Sequence, residues 1–182
     1  MDRAKLFNKQ DDEDLFKLYE LFIKLKDKFD KGFAEEFKRS LPFAELLFDR
    51  WERASMLGFG KGTSIYDSSI VMGSVNVGEN TWIGPNTILD GSGKLSIGNS
   101  CSISAGVQIY THDTVKWATS GGVEPYEYAK TEIGNNCYIA PNCIIAKGIT
   151  IGDACIIGAN SFVNKSFSNG SKIAGSPAKL IL

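Results

Sequence analysis

After Gly62, apolar residues recur every six positions: Ile65, Val71, Val77, Ile83 and Leu89, then, past a two-residue insertion in "DGSGKLS", Ile97, Ile103 and Ile109. The series resumes at Ile133 and runs through Ile139, Ile145, Ile151, Ile157 and Val163. A helix would space its apolar stripe by three and four, and a half-buried flat sheet by two, so a period of six fits neither. It fits short strands wound into stacked coils, each coil burying the same position against its neighbours. Small residues tend to follow the apolar one, as in "VGENTW", "IGPNTI", "IGNSCS", "IGNNCY", "IGDACI" and "IGANSF". Gly, Asn and Asp supply the corner conformations that other residues avoid.

The fifth residue of each unit should also face the narrow interior, and it should be small. That slot holds Ser69, Val75, Thr81, Thr87, Cys101, Val107, Cys137, Cys143, Ile149, Cys155 and Ser161. It contains all four cysteines of the chain, which therefore read as buried thiols acting as small hydrophobes. There is no CxxC pair, so no metal site is expected, and disulfides are not expected either.

The segment before the repeat has a helical period. Leu15, Leu18, Phe22, Leu25 and Phe29 form one stripe, the acidic run from Asp11 to Asp14 suits the positive end of a helix dipole, and Gly32 predicts a stop. A second helix is expected from Pro42, carrying Phe43, Leu47, Trp51 and Ala54, with "GFGKG" ending it. The chain thus divides into a helical segment, 1–62, and a repeat domain, 63–182. Twenty basic residues balance 21 acidic ones, which gives no field for nucleic acid or an anionic membrane. The N-terminus is polar and no apolar run approaches a membrane span, so the cytoplasm is the expected location.

The hexads, the stretch "ILDGSGKLSIGNSCSISAGVQIYTHDT" and the segment "GSPAK" (Gly175 to Lys179) resemble the hexapeptide-repeat acyltransferases, and among them the sugar O-acetyltransferases of the maltose, galactoside and nodulation-factor type. The resemblance covers about residues 63 to 182. It implies a mainly β fold, a left-handed parallel β-helix of triangular section with three hexads to a coil, preceded here by helices. It implies acetyl-CoA as donor, a sugar or glycan intermediate of bacterial surface-polysaccharide synthesis as acceptor, and a homotrimer with sites between neighbouring prisms. The same fold hosts other functions. A γ-class carbonic anhydrase needs three histidines and this chain has one. A nucleotidyltransferase needs an α/β domain for which the preceding segment is too short and too helical. Two alternatives remain open: an N-acyltransferase of a nucleotide-linked amino sugar, and a non-catalytic β-helix scaffold.

The single histidine, His112, stands in "IYTHDT", where the repeat gives way to an excursion at about 113–132. Acyl transfer to a hydroxyl needs a base of near-neutral pKa to take the alcohol's proton, and histidine suits that task. The resemblance assigns the role to His112. Asp90, in the turn before the histidine's coil, is the preferred carboxylate to support it. Asp113 is the other candidate, for the imidazole or the acceptor, unless it only makes an Asx turn. By resemblance, the coenzyme A arm passes Tyr138, Ala140 and Ala159, and Lys165 and Lys179 meet its phosphates. Trp117, Tyr126 and Tyr128 offer flat faces for a sugar ring, and Glu127 offers an acceptor for its hydroxyls. No motif sets a serine or cysteine as nucleophile, so direct transfer in a ternary complex is expected.

Overall fold

The computed structural model describes residues 3–7 and 12–181. The chain separates into two compact units, Met1–Leu47 and Phe48–Leu182. In the first, α1 (Glu13–Phe37) opens with Glu13 and Asp14 in its first turn. The expected start at Asp11 lies outside the described residues. Gly32 does not stop the helix, which runs on to Phe37 and ends where Lys38 turns left-handed at φ 54° and gives its N–H to the Phe33 carbonyl. An interior glycine costs only about 1 kcal/mol, and Phe33 and Phe37, with centroids 5.3 Å apart, support the turn that follows it. Phe22 meets Phe43 of the short α2 (Phe43–Leu47) edge to face.

The expected second helix is two. Asp49 accepts the N–H groups of Trp51 and Glu52 at 2.8 and 3.0 Å and so caps a new helix, α3 (Arg50–Met56), which belongs to the second unit. A carboxylate placed to satisfy orphan N–H groups stabilises a helix start more than a helix interior. From α3, Arg53 reaches the carbonyls of Tyr66 and Ser69 in the first corner of the repeat.

The second unit is a left-handed parallel β-helix. In-register pairing stacks Ile65, Ile83, Ile103, Ile139, Ile157 and Ile173 on the first face. Val71, Leu89, Ile109, Ile145 and Val163 stack on the second. Val77, Ile97, Ile133 and Ile151 stack on the third, and Phe167 extends it by a bridge. This makes five coils and the start of a sixth, so the pattern continues past Val163 to Phe167 and Ile173. Every first-face isoleucine is fully buried. The fifth-slot residues are buried too, except the half-buried Val75, and Leu95 and Thr131 fill that slot where six-residue counting breaks. The four cysteines are free, buried thiols. Their sulfurs lie 3.0–3.2 Å from carbonyls of the next coil, those of Gly134, Gly152, Gly158 and Ser168, as weak donors across the stack.

The glycines of "IG" serve the stack rather than the turn. Side chains at one corner form a ladder: Asn99 accepts the N–H of Glu79, Asn135 that of Asn99, Asp153 that of Asn135, and Asn169 that of Asp153, at 2.6–2.9 Å. A Cβ on Gly78, Gly98, Gly134 or Gly152 would lie 2.2–2.7 Å from the ladder oxygen of the next coil. The left-handed corner conformation falls instead two residues on, at Asn80, Ser100, Asn136 and Ala154.

The outward residues differ by face. On the second they are Ile70, Ile88, Gln108, Ile144 and Phe162, and on the third Asn76, Ser96, Glu132 and Thr150.

Candidate active site

The corner between the second and third faces is where the repeat breaks, twice and in adjacent coils. Coil 2 carries the two extra residues of "DGSG", and coil 3 leaves after Tyr110 and returns at Thr131. Because Leu89 pairs with Ile109 and Ile97 with Ile133, the two irregular corners lie one on the other. Thr111 locks them together. Its N–H donates to Asp90 Oδ2 at 2.9 Å, its hydroxyl to the Asp90 carbonyl at 2.8 Å, and it accepts the Gly93 N–H at 2.7 Å. A Cβ on Gly93 would stand 2.4 Å from the Thr111 carbonyl, which explains the second glycine of "DGSG". The excursion is a hairpin: His112–Asp113 pairs antiparallel with Glu127–Tyr128, and α4 (Val115–Thr119) lies in its tip. Its neck is closed by the Thr131 hydroxyl, which donates to the Tyr110 carbonyl at 2.8 Å.

This architecture sets His112 Nδ1 2.6 Å from Asp90 Oδ2, with the Asp90 side chain fully buried. Burial alone would push that carboxyl up. Hydrogen bonds from Ser92, Thr111 and His112 outweigh it and hold the group well below the usual carboxylate range. An ionised carboxylate only accepts, so Nδ1 carries a proton, and in the neutral imidazole Nε2 then holds the lone pair. Nε2 has no hydrogen-bond partner among the described residues. The imidazole also stacks on Tyr128, centroids 5.9 Å apart and planes 26° from parallel. His112 lines an open cleft of about 440 Å³ whose walls include Tyr110, Asp113, Ile144, Ala146, Lys147 and Phe162.

The remaining candidates are placed as follows. Asp113 accepts the Val115 N–H at 3.1 Å, the Asx turn weighed from the sequence, and also pairs with Lys147 at 2.9 Å. Glu127 pairs with Lys116 at 2.7 Å and Lys147 at 2.9 Å. These contacts hold both carboxyls below their ordinary values and push Lys147 up. Trp117 and Tyr126 meet edge to face at 5.5 Å, both well exposed. Tyr128 is occupied by the imidazole. Tyr138 points outward from the first face, Ala140 is buried, and Ala159 is exposed. The Lys165 ammonium lies over the Phe167 ring at 5.4 Å, and Lys179 is in the C-terminal strand Lys179–Leu180. None of these five donor-side candidates lines the His112 cleft. Thr111 and Lys147 were missed. Thr111 carries no signal in the sequence, whereas the charge of Lys147 at a corner of "IIAKGITIGD" was available to be noticed.

Residues 130–165 match the bacterial transferase hexapeptide family (six repeats). Over 109 residues, 48% of the chain, the sequence is 35% identical to a chloramphenicol acetyltransferase of Morganella morganii, of which this covers 50%. The chain spans about half the length of the curated relatives it matches first. Among solved structures, a maltose O-acetyltransferase from Clostridium difficile 630 is 29% identical with a TM-score of 0.57, the match covering 89% of this chain and 87% of that one. A hexapeptide-repeat acetyltransferase from Vibrio cholerae has a TM-score of 0.65 at 23% identity, covering 88% and 91%, a likeness of fold. The repeat segment at residues 130–165 is thus similar to the hexapeptide-repeat transferases.

Proposed function

We propose that this chain is an acetyl-CoA-dependent O-acetyltransferase acting on a sugar or glycan intermediate. The observation that carries the reading is the 2.6 Å contact of His112 with buried Asp90, at the wall of an open cleft. Asp90 fixes the tautomer, so Nε2 takes the proton of the acceptor hydroxyl as that oxygen bonds to the thioester carbonyl carbon. The imidazolium is stabilised by Asp90. The C–S bond then breaks, the proton passes from Nε2 to the leaving sulfur, and an acetyl ester, coenzyme A and neutral His112 remain. The 29% identity to a maltose O-acetyltransferase supports a hydroxyl acceptor.

A homotrimer completes this site. The outward column of the second face, apolar apart from Gln108, runs into the cleft through Ile144 and Phe162, which are 38% and 37% exposed in the single chain, and a neighbouring copy would cover it. That copy would bring Tyr138, Ala140 and Ala159 to the coenzyme A arm, with Lys165 and Lys179 near its phosphates. Trp117 and Tyr126 would stack on the acceptor ring, and Asp113 and Glu127 keep lone pairs for its hydroxyls. No described helix is long and apolar enough to cross a membrane. A coenzyme A donor suits the cytoplasm, and the acceptor class suits surface-polysaccharide synthesis.

Calorimetric titration with acetyl-CoA, followed by alcohol and amine sugar acceptors in parallel, tests the reading. Saturable binding near one molecule per chain and an ester product support it. An amide as sole product moves the chain to the N-acyltransferases, and no donor binding removes the reading.

A further inference from the structure

The hairpin that carries His112 is held from two sides. Coil 2 supplies Asp90 and Gly93, which fix Thr111 and the imidazole. Coil 4 supplies Lys147 and Gly148. Gly148 gives its N–H to the Thr131 hydroxyl at 3.1 Å, at the hairpin neck. Lys147 places one ammonium 2.9 Å from Asp113 Oδ2 and 2.9 Å from Glu127 Oε2, and those two residues face each other across the hairpin. The adjacent pair in the same ladder is His112 opposite Tyr128, the pair whose rings stack. One cation therefore ties both strands of a two-rung ladder whose other rung is the imidazole and the ring beneath it. The Lys147 side chain is only 21% exposed, so the pairs are less screened than free surface pairs. A two-rung hairpin with an exposed tip has little stability of its own.

We infer that Lys147 is a positioning residue: acting through Asp113 and Glu127, it holds the hairpin closed so that Tyr128 stays stacked on His112 and Nε2 stays aimed at the cleft. The inference rests on the proposed role of His112. Displacing a reacting group by about 1 Å costs about 100-fold in rate, and loosening one of two supports should cost less than that. The expected effect of Lys147→Met is about a 10-fold to 50-fold loss in kcat, with KM for acetyl-CoA within about twofold. Lys147→Arg, which can still reach two carboxylates, should recover most of the loss.

Because the chain has a single histidine, the imidazole signals in its NMR spectrum need no assignment. Full-length protein, Lys147→Met, Lys147→Arg and Glu127→Gln would be compared for the ring-current shift that Tyr128 imposes on the His112 carbon-bound protons, alongside kcat and KM. The inference expects that shift to shrink in Lys147→Met and in Glu127→Gln and to return in Lys147→Arg, with kcat following it. An unchanged shift in the Met variant overturns it, as does unchanged kcat, or a raised acceptor KM at full kcat, which would make Lys147 a binding residue. If Lys147→Met does not fold, Glu127→Gln alone decides by the same readings. If wild type transfers no acyl group, the function is wrong while the imidazole spectrum still judges the clamp.

Discussion

Two corners of one triangular coil obey different rules. At the corner carrying Asn99, Asn135, Asp153 and Asn169, each turn repeats the last: a side-chain oxygen caps the N–H of the coil before, and glycine leaves it room. At the corner after the second face, coil 2 inserts two residues and coil 3 projects a hairpin. The regular corner makes the stack continue, and the irregular one uses that stack as a base for the His112 hairpin. A strand ladder in register fixes where Leu89 and Ile109 sit, so it also fixes where an insertion after each of them meets the other. The geometry of His112 and Asp90 is thus inherited from the repeat at the point where the repeat fails.

The sharpest way to break the irregular corner alone is Asp90→Asn. The amide would turn one N–H₂ group toward donors and leave the imidazole tautomer unset. We expect kcat to fall by about 100-fold or more and stability by about 1–3 kcal/mol, read from steady-state kinetics and urea unfolding. Gly134→Ala breaks the regular corner instead. Its Cβ would lie 2.5 Å from Asp153 Oδ1 and 2.7 Å from Asp153 N, and we expect a loss of about 1–3 kcal/mol, seen as a lower Tm, with the residual folded protein still active.

A third test separates the two corners by pH. Asp90 has a native pKa below its ordinary value of 3.8, so the unfolded chain binds a proton more readily in that window. Its contribution is complete above the unfolded value and is lost as pH falls through the native one. Unfolding free energies measured between about pH 2 and 5 should slope upward with pH in wild type, less steeply in Asp90→Asn. The smallest change has the opposite sign. Thr87 is fully buried in the regular stack and its hydroxyl has no hydrogen-bond partner among the described residues. Thr87→Val should raise stability by about 1 kcal/mol in urea unfolding and leave transfer untouched.

The regular part of this molecule could be read from the sequence because a six-residue period admits few packings. The isoleucine columns and the small interior slot, cysteines included, follow from spacing alone. The reading of the "IG" glycines as turn formers is incomplete, since their requirement comes from a ladder residue of the neighbouring coil, 17 to 37 residues away along the chain. In the helical segment, Gly32 and the Pro42 helix were judged by local propensity, and Phe33–Phe37 contact and the Asp49 cap overrode it. At the site, His112 and Asp90 stood out as the lone base and the acid in the broken turn before it. Lys147 did not, because its partners lie 34 and 20 residues away and meet it only once the hairpin closes over coil 4.

The central claim is that His112, held by Asp90, is the base for acyl transfer. The most direct measurement compares acetyl transfer by wild type and His112→Ala on the best acceptor found in an alcohol panel, at saturating acetyl-CoA. The account predicts that the variant binds acetyl-CoA normally and loses about 100-fold or more in kcat. Transfer at an undiminished rate by His112→Ala would contradict it.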